Sequence, residues 1–310
     1  MVQIHRLVLL ALFMLAPCAR PESLILRQTS FDGGLYWSCP IVGFMFDENF
    51  MVTIAAAHET QYDSLGGSIS SSWKIDGLET HLVCNEKNQL VWLSPTGDTA
   101  CFDRDMIASS KKAMDEGRML MAVSEDEYVV IDECSRKWYY KRGSLEKVRF
   151  GADDELSFKC SNGRIREITH GKDATLTVRQ KGSNLAFFIK DNWVADIQYD
   201  ATGRLIERIS FADPKRQPLD FIYRDGNLVQ VNQSGRVAEK FDWREVGVWK
   251  KWFSLLQYPV YLYSDGRHTY AHGFYFGNAK ITATDAAGGR EEKVLNLKSG
   301  LITDKKLPAR

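Results

Sequence analysis

His58-Glu59 begins like the helix of a zinc protease, in which two histidines four residues apart hold the metal and the intervening glutamate acts as base. Tyr62 stands where the second histidine belongs, so the ligand set is incomplete. His268 and His272 also have a metal-compatible spacing, but Tyr263, Tyr270, Phe274, Tyr275 and Phe276 surround them, a setting that reads as a strand carrying polar side chains. Cys39, with His272 and Asp285 downstream, follows the order of a cysteine hydrolase. It sits in Trp37-Ser38-Cys39-Pro40 with no helix start or oxyanion-hole motif, and Pro40 removes a backbone donor where one is needed. Neither a Gly-x-Ser-x-Gly elbow nor a phosphate-binding glycine loop with a trailing Lys-Ser/Thr occurs. The acidic runs Glu125-Asp126-Glu127 and Asp153-Asp154-Glu155 read as solvated turns, without the alternation and central glycine of a calcium loop. No catalytic, cofactor-binding or metal residue is therefore nominated. Two functional readings stand: a non-catalytic binding or structural protein, and an extracellular hydrolase with its site around Cys39 and His58.

The elements that would position such groups follow from composition and periodicity. The 310 residues are 44% hydrophobic and 26% charged, an ordinary globular mix. Forty basic residues balance forty acidic ones, which removes any global pull toward nucleic acid or an anionic bilayer. His5-Arg6, the apolar run Leu7 to Leu15 and the small residues after it read as an export leader over 1–18, cleaved near Cys18/Ala19, too short to span a bilayer. Leu15-Ala16-Pro17-Cys18 leaves lipoprotein anchoring at Cys18 as a second option. Ile41 to Ala57 is interrupted by Asp47-Glu48-Asn49, so no transmembrane segment is expected. In an oxidising compartment Cys84 and Cys101 are expected to pair, because the segments around them read as neighbouring strands. Cys134 with Cys160 is a second pair, and all five as small buried hydrophobes is the alternative.

From Tyr139 onward short alternating apolar runs flank polar turns holding Gly143, Gly163, Gly182, Gly203, Gly226, Gly247 and Gly266, one roughly every twenty residues. Leu156 to Cys160 alternates, Asn162-Gly163 is a favoured tight turn, and Ile165 to Thr169 returns. One such hairpin is marginal in water, so neighbours must pair edge to edge and share a buried face. Tyr199-Asp200-Ala201-Thr202-Gly203-Arg204-Leu205 resembles the Tyr-Asp-x-x-Gly-Arg-Leu signature of the YD-repeat (Rhs) family at every fixed position. Tyr139 to Leu145 and Val231 to Val237 keep its spacing, and Cys160 to Ile165, Tyr223 to Leu228 and Tyr263 to His268 are one residue shorter. The resemblance implies a large exported or surface protein whose hairpins wind into a β-sheet spiral. With about seven copies, an open curved sheet capped by the N-terminal region is expected here.

The fold class is thus mostly β: an antiparallel sheet of tandem hairpins of about twenty residues over 138–276, a less regular α+β region over 19–137, and a C-terminal tail or capping segment over 277–310. In the N-terminal region Thr80 to Cys84 and Gln89 to Leu93 read as paired strands and Ser94 to Gly97 as a turn. Asp103 to Gly117 reads as the one helix, and Gly66 to Ser72 as a flexible loop. Trp249 to Leu256 fits either a short inserted helix or an unusual strand. Trp243, Trp249, Trp252, Tyr258, Tyr261, Tyr263, Tyr270 and Tyr275 crowd the last repeats. They form either a platform for stacking a glycan or a protein partner, or buried cross-strand pairs. Unpaired sheet edges offer self-association.

Overall fold

The computed structural model describes residues 26–29, 35–47, 50–62, 69–151, 154–171, 173–241, 244–245, 258–264, 268–275, 278–296, 298–299 and 301–307. The leader, Trp249 to Leu256, Gly247 and Gly266 lie outside them. Among the described residues the chain is almost entirely antiparallel strand. Four N-terminal strands, β1 (Leu26–Thr29), β2 (Leu35–Asp47), β3 (Phe50–Tyr62) and β4 (Ile69–Asp76), form one sheet in chain order. Ile69 to Ser72, expected in a loop, are strand because they pair with β3. A three-stranded sheet follows, from β5 (His81–Cys84), β6 (Gln89–Leu93) and β7 (Thr99–Asp103).

The helix expected over Asp103 to Gly117 is only α1 (Arg104–Ser110). Asp103 caps it, accepting from the amides of Asp105 and Met106, but Lys111 ends it in the left-handed conformation. Lys112 to Asp115 then leave as a strand, and Gly117 closes a hairpin instead of a helix. Tertiary pairing overrides a helical pattern this short.

Fourteen consecutive hairpin-linked strands make the main sheet. They are β8 (Lys112–Asp115), β9 (Arg118–Ala122), β10 (Glu127–Ile131), β11 (Lys137–Lys141), β12 (Ser144–Arg149), β13 (Glu155–Ser161) and β14 (Arg164–His170). The sheet continues through β15 (Asp173–Lys181), β16 (Asn184–Ile189), β17 (Asn192–Tyr199), β18 (Ile206–Phe211), β19 (Leu219–Arg224), β20 (Asn227–Gln233) and β21 (Arg236–Lys240). It starts ahead of Tyr139 and stops before the last aromatic-rich segment. That segment belongs to a separate six-stranded sheet of β22 (Arg244–Glu245), β23 (Tyr258–Ser264), β24 (His268–Tyr275), β25 (Asn278–Asp285), β26 (Arg290–Asn296) and β27 (Ile302–Leu307).

Gly143, Gly163, Gly182, Gly203 and Gly226 all sit at positive φ in chain reversals. Each closes every second hairpin, so all five mark the same rim of the sheet. Gly143 shows why glycine is needed: a Cβ there would sit 2.9 Å from the carbonyl oxygen of Leu82, while its own carbonyl accepts from the Leu82 amide at 3.1 Å. In the longer turn at Tyr199 the Asp200 carboxylate accepts from Thr202 Oγ1 (2.7 Å) and from the amides of Arg204 (2.9 Å) and Leu205 (3.1 Å). These bonds hold its pKa below the usual carboxylate value.

After most of these turns the strand departs from strict alternation. Glu146, Arg166, Glu207 and Val229 have no partner across the ladder. Each is a β-bulge, and it brings residues three apart onto one face: Leu145 with Val148, Ile165 with Ile168, Ile206 with Ile209, Leu228 with Val231, all buried. Bulges add twist and bend, which a long sheet with one apolar face needs in order to wrap. The outer face carries directly opposed charges such as Lys141–Glu127 (2.8 Å), Lys159–Glu167 (2.7 Å) and Arg208–Asp220 (3.0 Å). Such exposed pairs favour register more than stability.

The inner face is covered by the chain's own earlier strands. Phe50 of β3 packs edge-on to Trp138 of β11, and Trp37 of β2 and Trp73 of β4 pack on Phe221 of β19. Phe50 and His58, the latter opposite Trp37 and Trp73, are about 26 Å apart along β3, whereas β11 and β19 would lie about 38 Å apart in a flat sheet. The main sheet therefore curls around the four-stranded one. Two tyrosine hydroxyls fix the small sheets on the main one, Tyr140 the three-stranded sheet and Tyr223 the four-stranded one. Trp92 Nε1 donates to Tyr140 Oη at 2.9 Å, and Trp73 Nε1 donates to Tyr223 Oη at 2.7 Å. Tyr140 and Tyr223 hold equivalent places, each opposite the first apolar residue after a turn.

Replacing Tyr140 by Phe strands the buried Trp92 donor, while the Thr80 hydroxyl keeps the Leu93 carbonyl. The expected loss is about 1–3 kcal/mol in urea unfolding, against less than about 0.5 kcal/mol for Tyr139→Phe on the outer face.

Candidate functional site

Cys39 and His58 lie on the inner face of the four-stranded sheet, on adjacent strands β2 and β3 and offset by two residue pairs: Cys39 opposes Ala56 and His58 opposes Trp37. Neither reaches solvent, at 4% and 0% exposure. Burial pushes the Cys39 thiol up to about 11, only partly opposed by the neighbouring Arg216 guanidinium. Arg216 instead serves the backbone, donating to the carbonyls of Ile41 (2.8 Å) and Pro40, where β2 carries a bulge. A buried neutral thiol is a poor nucleophile. Burial lowers the His58 pKa to about 4, and neither ring nitrogen has a hydrogen-bond partner. The imidazole packs as a ring against Trp73, centroids 4.9 Å apart. Glu59 faces the other way, toward Lys74.

The other expected sites also come apart. His268 and His272 lie on β24 as a strand, opposite Asp285 and Ile281; the His272 side chain is outside the described ones. Cys84 and Cys101 are not on neighbouring strands, because β6 runs between them. Cys84 opposes Leu90 and Cys101 opposes Val91, so the two thiols face opposite sides of that sheet. Cys134 lies in the β10–β11 turn and Cys160 beside the β13–β14 turn, at opposite rims. All five described cysteines are free thiols. Of the expected aromatic platform, Trp243, Trp249 and Trp252 lie outside the described residues, as do the side chains of Tyr258, Tyr261, Tyr263 and Tyr275. Tyr270 packs against the core. The exposed ring is instead Trp193, opposite Phe188, whose ring carries the Arg179 guanidinium at 4.1 Å. Among the described residues no three His, Cys, Asp or Glu gather to hold a metal, and no helix is long and apolar enough to cross a membrane.

A solvent-open concavity lies elsewhere. Near the tip of the β2–β3 hairpin, Gly43, Phe44, Met45 and Phe46 hang over His170, Thr175 and Lys190 of the main sheet and enclose a cleft of about 380 Å³. That size is within the range of small-ligand sites. Phe44 and Phe46 stack with centroids 6.1 Å apart, and the His170 ring meets Phe46 edge-on, also at 6.1 Å. Phe150 backs both Phe46 and His170. Below, the buried Asp132 accepts from Trp138 Nε1 (2.9 Å) and Arg136 Nε (2.5 Å), and the Arg136 guanidinium lies over Phe50. This set of rings and charges fixes the hairpin tip against the rim. Sequence reading missed the cleft because its residues come from three distant segments and share no motif.

The neutral His58 makes stability pH-dependent. Its folded pKa of about 4 against an unfolded 6.5 means that acid favours the unfolded chain. This contribution is whole above about pH 6.5 and is lost as pH falls toward 4, a change of about 3 kcal/mol. Urea unfolding of wild type and His58→Met between pH 7 and 4 measures it as the difference in slope. Parallel curves would refute it.

No model of a known protein family matches the chain, and no curated protein matches it in sequence.

Proposed function

We propose that this chain is a non-catalytic binding module of an exported, YD-repeat-like β-hairpin protein, with its ligand site in the cleft between the β2–β3 hairpin tip and the rim of the main sheet. The observation that carries this reading is the contrast in accessibility. The pair on which a hydrolase reading rests, Cys39 and His58, is sealed in the core, while Phe44, Phe46, Thr175 and Lys190 line an open cleft. The leader-like run Leu7 to Leu15 supports export, and the match at Tyr199 to Leu205 supports the repeat resemblance. A hydrolase centred on Cys39 would need the four-stranded sheet to leave the main sheet, breaking the Trp73–Tyr223 bond and the packing of Trp37 on Phe221.

Two measurements test the proposal. Titration of the isotope-labelled chain with a fragment collection is expected to shift amides at 43–46, 170, 175 and 190 together; hits scattered over the outer face would count against the cleft. With a thiol reagent, Cys84, Cys101 and Cys134, all exposed, should label in the native state, and Cys39 only on unfolding. Rapid native labelling of Cys39 would restore the enzyme reading.

A further inference from the structure

Three local irregularities bring side chains to the cleft. Phe46 is an unpaired bulge residue of β2, between the pairs Met45–Met51 and Asp47–Phe50. Thr175 is the bulge residue of β15, between Leu176 opposite Ile168 and Ala174 opposite Thr169. A bulge re-aims the side chain it carries. Lys190 belongs to a tight turn with Asp191, both in the left-handed region at φ 45 and 66. The comparable turns Arg142-Gly143, Asn162-Gly163, Asp225-Gly226 and Ser234-Gly235 put glycine second, as that backbone favours. Lys190-Asp191 has no glycine and holds two side chains in a conformation that costs them energy.

The chemistry of the lining is one-sided. Phe44, Met45 and Phe46 are the apolar side chains of the lining, His170, Thr175 and Lys190 the polar ones, and no carboxylate is among them. Asp191, beside Lys190, is engaged by Arg179 Nη2 at 3.7 Å, and Asp154 stands near His170 Nε2 at 3.9 Å. Asp191 thus pairs with Arg179, and Lys190 lines a space walled by rings.

We propose that the cleft takes a small organic anion with a flat apolar body, an aryl carboxylate or sulfonate. Its ring lies against Phe46, its anionic group meets Lys190, and Thr175 donates to the same oxygens. A neutral apolar molecule would waste the ammonium, and a cation would meet it head-on. This assignment rests on the reading of the cleft as a ligand site.

The test uses anilinonaphthalene sulfonate and its uncharged counterpart phenylnaphthylamine, titrated by fluorescence against the full chain. The sulfonate is expected to bind about tenfold or more tightly than the neutral dye, a tenfold change being about 1.4 kcal/mol. Lys190→Met should remove that preference, and Lys190→Arg should keep it. Replacing the turn by Asn-Gly (Lys190→Asn with Asp191→Gly) should raise the thermal midpoint while losing the sulfonate, a combination that a merely structural lysine would not give. Equal binding of the two dyes, unchanged in Lys190→Met, overturns the anion assignment and leaves a cleft for neutral ligands. Sulfonate fluorescence that survives Phe46→Ser in a chain with wild-type strand content places the dye elsewhere and overturns the cleft reading as well.

Discussion

An antiparallel sheet of fourteen strands presents a continuous apolar face, and the rest of this structure follows from how that face is kept from water. Among the described residues no helical layer lies over it, as α1 has only seven residues. The cover is more β-sheet from the same chain, which has an inner face of its own in Phe50, Val52, Ile54, Ala56 and His58. Two apolar faces in contact are worth about 25 cal/mol per Å² buried, but only if they match in curvature. The repeated bulge beyond the turn supplies the curvature, and its three-residue spacing keeps Leu145 and Val148, or Ile165 and Ile168, on the same side while the strand bends. Position is then fixed by directional bonds, the indoles of Trp73 and Trp92 donating to repeat tyrosines. Apolar contact alone would let the small sheets slide; a buried N–H that must find one oxygen does not.

The same device also builds the cleft. Where a bulge falls beyond a rim turn the extra residue, such as Glu146 or Glu207, stays exposed, and the apolar residues flanking it fill the inner layer. At Phe46 and Thr175 the bulges fall beside the hairpin tip, where neither sheet continues far enough to cover them. The extra residue is left lining a concavity. A fold assembled from bulged hairpins thus gains a recess wherever two bulges meet near a rim. The glycine-free turn at Lys190 adds a charge to it.

Much of the architecture is legible in the residues. The alternation in Leu156 to Cys160 and the glycine in each of five turns are local signals, and each of those glycines sits in a chain reversal. The paired strands at Thr80 to Cys84 and Gln89 to Leu93 follow from the same two-residue period. The pattern fails where tertiary pairing decides. Lys112 to Asp115 carry a helical spacing, but β9 offers them a ladder, and Lys111 turns the chain toward it. Cys84 and Cys101 flank segments that do read as strands; what one-dimensional spacing omits is the strand between them and the face each thiol takes. The cleft is the hardest case. Phe46, Thr175 and Lys190 are far apart in the chain, and each departs from a local rule by one residue, a departure without meaning until the partner strand's register is known.

The fates of Cys39 and His58 show how the same residue types serve opposite ends in the two places. On the central strands the fold asks for shape. His58 fills a slot between Trp37 and Trp73 as a neutral ring, forgoing hydrogen bonds at both nitrogens, and Cys39 packs as a small apolar group beside a guanidinium committed to backbone carbonyls. Reactivity there would need water and room for a substrate, and the interlocked rings of the two sheets leave neither. On the rim the fold asks for little, since a turn can be closed by Asn-Gly without loss. Lysine and aspartate in such a turn are therefore not explained by folding, and the packed interior gives them no role. A chain that fills its concave side with its own strands keeps its open recesses for the margins, and the cleft under the β2–β3 tip is a margin where residues unfavourable to the fold collect.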